Sequence, residues 1–205
     1  SGPVEGFYFM VMATKGNAAT SDSYKTMTYH EVFHIYQMSN VFTDNYDDVD
    51  SKMGRMSGDN PEELVAWWME GNADFFGALY SKDAEGFKSE MRCALECTGP
   101  FSVSRKDKFF DEGLKLRNIS WDQGDLVDLG YRLGSWFVAY LTSVHGEGAL
   151  YDFWETVDEM DFEATFLRQF GVDYRTYLDE FEVWLRNPNE DLLAILDDIY
   201  ASKAR

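Results

Sequence analysis

Residues 30 to 34 read His-Glu-Val-Phe-His, and this pentapeptide constrains the chain more than any other feature. Histidines four apart on a helix lie on one face, about one turn from each other, so both imidazoles can reach a single ion. The chain holds only three histidines, and two of them stand in this pattern. The surrounding residues, from about Ser23 to Asn40, read as a helix whose apolar positions (Met27, Val32, Phe33, Ile35, Tyr36) run nearly all round, so the helix is expected to be buried. Two imidazoles and a glutamate buried there are costly without partners. A metal supplies one. Zinc also lowers the pKa of a coordinated water, and Glu31, beside the first histidine, is placed to take its proton without ligating the ion.

A catalytic zinc needs a third protein ligand. The candidate is Glu70, 36 residues after His34, set among Trp67, Trp68, Met69, Phe75 and Phe76, where a solvated carboxylate is not expected. Asp74 follows it by one helical turn and shares its face. Ligating histidines usually donate their second N–H to a carboxylate, and Asp74 suits that task.

The rest of the chain reads as mainly helical. GFYFMVMAT, residues 6 to 14, is a short aromatic and apolar run before a Lys-Gly-Asn turn, and reads as a strand. Thr43 to Asp59 reads as an acidic loop. Its Asp44, Asp47, Asp48 and Asp50 could bind calcium, but they lack EF-hand spacing, and a solvated loop is the favoured reading. Asn60, Pro61 and Glu63 form an N-terminal capping pattern, which predicts a helix from there to about Tyr80. Gly71 inside it costs about 1 kcal/mol against alanine, so it calls for a packing or functional reason. A helix is expected around Ala84 to Glu96, then turn-rich sequence to Gly124. Residues 125 to 145 read as one helix stopped by Gly146, followed by helices at about 147–159, 161–170, 173–186 and 189–202.

Composition bounds the partners. With 18 basic against 37 acidic residues the net charge is −19, a surface that repels nucleic acid. No stretch approaches the length of a membrane span. Cys93 and Cys97, four apart, share a helix face; a disulfide, free thiols and a soft-metal pair all remain open.

The words YHEVFHIYQ (29–37), WWMEGNADFF (67–76) and YRLGSWFVAYL (131–141) resemble the gluzincin metallopeptidases, the thermolysin-like clan whose third ligand is a glutamate on a second helix. FEATFLRQFGVDYRTYLDEFEVWLRN (162–187) looks like the closing helices of bacterial peptidase-MA-like domains. The resemblance spans roughly residues 24 to 187. It implies an α+β, mainly α, zincin-like domain with a small N-terminal β element, in one metallopeptidase-like unit over residues 1–205 that is the catalytic fragment of a longer protein. It implies zinc on His30, His34 and Glu70, Glu31 as general base, Asp74 orienting a ligating histidine, and the Tyr131 phenol donating to the oxyanion of a peptide under hydrolysis. His145 is the rival for that last role, but 14 residues along one helix place it about 21 Å from Tyr131. One departure stands out: only about 29 residues precede the histidine pair, so the usual sheet ahead of it is nearly absent, and either the chain is a fragment of a longer protein or the fold is minimal. The alternative is a zinc-binding pseudopeptidase serving as a protein-interaction module. An extracytoplasmic setting is expected, though no residue fixes the compartment.

Overall fold

A computed structural model describes residues 21–43 and 45–203. The strand expected at 6–14 lies outside the described residues. The rest is mainly α, with one isolated antiparallel bridge, Val65 to Ser120, as its β content among the described residues.

Three helices position the site: α1 (Asp22–Ser39), α3 (Met69–Ser81) and α6 (Val127–His145). Between the first two lies α2 (Tyr46–Lys52). Helices α4 (Ala84–Glu96) and α5 (Arg105–Asp111) precede α6. The chain closes with α7 (Gly148–Thr156), α8 (Phe162–Phe170), α9 (Tyr174–Trp184), α10 (Asn189–Leu193) and α11 (Ile195–Ser202). No helix among the described residues is long and apolar enough to cross a membrane.

Helix α3 is packed between α1 and α6. Glycines set both distances. A Cβ on Gly71 would stand 2.5 Å from the Gly134 carbonyl carbon, so α3 and α6 cross backbone against backbone. A Cβ on Gly77 would stand 3.0 Å from the Thr26 carbonyl oxygen and 3.2 Å from the His30 nitrogen, so α1 lies almost as close on the other side. That is the packing reason for Gly71. Beneath the crossing sits an aromatic core around Trp68, whose ring meets Phe137, Phe153, Trp154, Phe162 and Phe166.

Several expectations are corrected. The capping pattern at Asn60 does not start a helix, which begins only at Met69. Asn60 Nδ2 does donate to Glu63 Oε1 at 2.9 Å, but this closes a turn. Val65, Ala66, Trp67 and Trp68 behind it are buried on every side, and the backbone there is tied across the chain, Val65 N to Arg55 O at 2.7 Å and Trp121 N to Leu64 O at 2.9 Å. Tertiary burial therefore overrides the local signal. The acidic loop contains α2, capped by Asn45, whose side chain accepts from Asp47 N. Asp47 and Asp48 occupy its first turn, where negative charge is favoured, and Asp50 pairs with Arg55 at 2.6 Å. Three of the four calcium candidates thus have structural tasks, and Asp44 lies outside the described residues. The turn-rich stretch contains α5, and the last expected helix divides at Ala194.

Helix α1 is not buried all round. Met27, Tyr29 and Val32 are 45, 46 and 48% exposed, because only one side of α1 meets α3. Cys93 and Cys97 form a disulfide at the C-terminal end of α4.

Candidate metal centre

The inner face of α1 brings His30 and His34 over the first turn of α3, where Glu70 is buried. His30 Nε2 lies 3.2 Å from Glu70 Oε2, His34 Nε2 lies 3.1 Å from the same oxygen, and the two Nε2 atoms are 3.0 Å apart. Among the described residues, this is the His/Cys/Asp/Glu group that could hold a metal ion.

The outer nitrogens decide what the inner ones can do. His30 Nδ1 stands 2.9 Å from Asp74 Oδ1, and His34 Nδ1 stands 2.7 Å from Gln37 Oε1. Each neighbour is an oxygen acceptor, so each ring spends its N–H outward. A neutral imidazole carries one N–H, and both Nε2 lone pairs therefore face inward, toward each other and toward a carboxylate oxygen. Three acceptors at about 3 Å demand a cation between them. In the metal-free centre a proton meets part of that demand. Burial on its own lowers the His30 pKa, but hydrogen bonds and charge from Asp74 and Glu70 outweigh it and carry it up to about 9. Burial on its own raises the Glu70 carboxyl, yet the two histidines bring it down to about 2.

The donor set fits zinc. Nitrogen and oxygen donors at about 2.05 Å in a tetrahedron stand about 3.3 Å apart, against 3.0 to 3.2 Å between the three donor atoms.

Around the donors, the Tyr131 ring stacks parallel to His30 at 6.2 Å between centroids and meets Trp121 edge-on. Burial first, then the charges of Glu70, Asp74 and Glu31, push its phenol well above the ordinary range, so it stays a proton donor. Glu31 is half-buried beside this group. His145 sits at the far end of α6, with Nε2 2.7 Å from the Tyr177 hydroxyl and its ring against Phe170. It has no place in the centre. Two residues were missed in the sequence. Arg132 donates to Asp74 Oδ2 at 3.0 Å, which offsets the carboxylate that holds His30. Gln37 is fully buried and follows His34 by three, so its position on the same helix face was the available signal.

Compared with protein-family models, curated proteins and solved structures, the chain matches none of them.

Proposed function

We propose that the chain is a zinc-dependent metallopeptidase of gluzincin type, with a zincin-like arrangement of α1 and α3 around the centre. The observation that carries this reading is the convergence of His30 Nε2, His34 Nε2 and Glu70 Oε2, each ring having spent its one N–H outward. When bound, zinc supplies a Lewis acid and an acidified water at neutral pH.

The protein's own groups do the rest. His30, His34 and Glu70 would hold the ion, and three protein ligands would leave it accessible to water and substrate. Glu31 is the base: its carboxylate takes the proton of the attacking water and returns it to the leaving amide nitrogen. The Tyr131 O–H, kept protonated first by burial and then by the acidic groups around it, donates to the oxygen of the former carbonyl as charge develops there. Asp74 holds His30 in the tautomer that offers Nε2, and Arg132 keeps Asp74 in place. A peptide is the substrate class, and the strongly acidic surface disfavours nucleic acid. An extracytoplasmic setting accords with the Cys93–Cys97 disulfide.

The test is a peptide-library cleavage assay on the zinc-loaded protein, with and without a chelator. Chelator-sensitive cleavage is expected. Tyr131→Phe should lower kcat by about 10- to 1,000-fold with zinc retained, and His145→Ala should leave it near wild type. A zinc-loaded protein that cleaves no peptide would leave a metal centre without peptidase activity.

A further inference from the structure

We infer that Gln37 is a positioning residue: it fixes His34 as an Nε2 donor and ties that donor to the first turn of α3. The inference rests on the metal-site reading above and deepens it.

A glutamine amide can face either way, and its neighbours decide which. Gln37 Nε2 lies 3.1 Å from the Met69 carbonyl oxygen, which can only accept. The NH₂ must point there. Oε1 is then the atom 2.7 Å from His34 Nδ1, and it too can only accept. Nδ1 must carry the hydrogen, and the lone pair of His34 is left on Nε2. One buried side chain thus settles two hydrogen positions at once. Gln37 is 0% exposed, so no water competes for either bond.

The two histidines are held by different chemistry. His30 leans on a carboxylate, Asp74, whose charge is offset by Arg132. His34 leans on a neutral amide that brings no charge. Gln37 also reaches across from α1 to the residue before Glu70, so one side chain sets the register between a histidine ligand and the carboxylate ligand. A helix merely packed on another has no need of a buried amide in that position, where an apolar side chain of equal size would fill the space.

The test compares Gln37→Leu and Gln37→Glu with wild type. Zinc affinity is measured by competition with a chromophoric chelator, and folding by melting of the metal-free proteins. Leucine keeps the volume and removes the acceptor, so zinc affinity should fall about 10- to 100-fold. Glutamate restores an acceptor for Nδ1–H but not the donor to Met69 O, and should recover part of the loss. Equal affinity in all three proteins, or an equal loss in both variants, overturns the assignment. A role in folding alone would lower the melting temperature without this rescue pattern. Nitrogen NMR of the wild-type imidazoles at alkaline pH gives a second reading that needs no variant to fold. A proton on His34 Nδ1 is expected, with and without zinc, and a proton on Nε2 in the metal-free protein overturns the inference. If the wild-type protein takes up no zinc, the metal-site reading fails, and the tautomer is still judged from these spectra.

Discussion

Helices α1 and α3 both carry ligands of the proposed centre, yet the molecule holds them in opposite ways. Helix α3 is enclosed: α1 covers one side, α6 the other, and nine of its thirteen residues are buried. Helix α1 has eighteen residues and buries three, Phe33, His34 and Gln37. Its contacts with α3 combine the stacked rings of Phe33 and Phe76 with polar links, His30 to Asp74, Gln37 to Met69 O, and Thr26 Oγ1 to Ser81 Oγ at 2.9 Å. The difference separates two tasks. Helix α3 is fixed by the core and presents Glu70 from a frame that apolar burial stabilises. Helix α1 is held by one aromatic contact and by the polar groups of the centre, so chemistry at the centre and docking of α1 are linked.

The largest expected effect concerns α1 alone. If Glu31 is the proposed base, Glu31→Gln removes it and leaves every proposed ligand, so turnover should fall about 100-fold or more, with zinc content and melting temperature unchanged. Loss of zinc in this variant would show that Glu31 is a ligand or a support, and that the division of tasks is drawn in the wrong place.

The two glycine crossings give the next contrast. Gly71→Ala drives a methyl group into the Gly134 backbone, where neither enclosed helix can yield, and should cost about 1–3 kcal/mol. Gly77→Ala meets Thr26 O at 3.0 Å and His30 Cβ at 3.3 Å, on a helix with an open outer side. There α1 can shift, and alanine's better helix propensity, about 1 kcal/mol, offsets part of the strain. Urea denaturation should show the smaller loss for Gly77→Ala, while zinc titration shows weaker binding because His30 has moved. Equal losses of stability would erase the distinction between the two interfaces.

The smallest effect is the pH dependence of the metal-free protein. His30 has a folded pKa raised from 6.5 to about 9, so its contribution is complete below 6.5 and is lost as pH rises through about 9. Glu70 has a folded pKa lowered from 4.5 to about 2, so its contribution is complete above 4.5 and is lost as pH falls through about 2. Both are complete between 4.5 and 6.5. With a chelator present, the denaturation midpoint should decline from that window toward pH 9. Zinc competes with the proton on His30, so stabilisation by added zinc should grow over the same range. A metal-free midpoint that rises from pH 6.5 to 9 would remove the His30–Glu70 pair as a link between the two helices.

The sequence made some of this legible and hid the rest for identifiable reasons. The fourfold spacing of His30 and His34, and Glu70 set among aromatic residues, pointed to one centre because helical geometry leaves few alternatives. Helix α6 was readable from its apolar content and from Gly146, which takes a φ of +82° at its end. The start of α3 was not readable, since Asn60, Pro61 and Glu63 suit a turn as well as a helix start, and here they close a turn ahead of Val65 to Trp68, which are buried on every side. The exposed side of α1 was missed for a related reason: apolar residues all round a helix do not say how many neighbours it has. Gln37 escaped notice because a glutamine on a helix carries no signal until the groups around its amide are known.

Whether His30, His34 and Glu70 hold zinc is decided by zinc binding to the wild-type protein and to variants of these three residues. Metal-free protein is titrated with zinc and analysed for bound metal, beside His30→Ala, His34→Ala and Glu70→Ala, each checked for folding by circular dichroism. One tightly bound zinc per wild-type chain is expected, with a severe loss of affinity in each variant that folds. Wild-type protein that takes up no zinc, or folded variants that bind it as tightly as wild type, would contradict it.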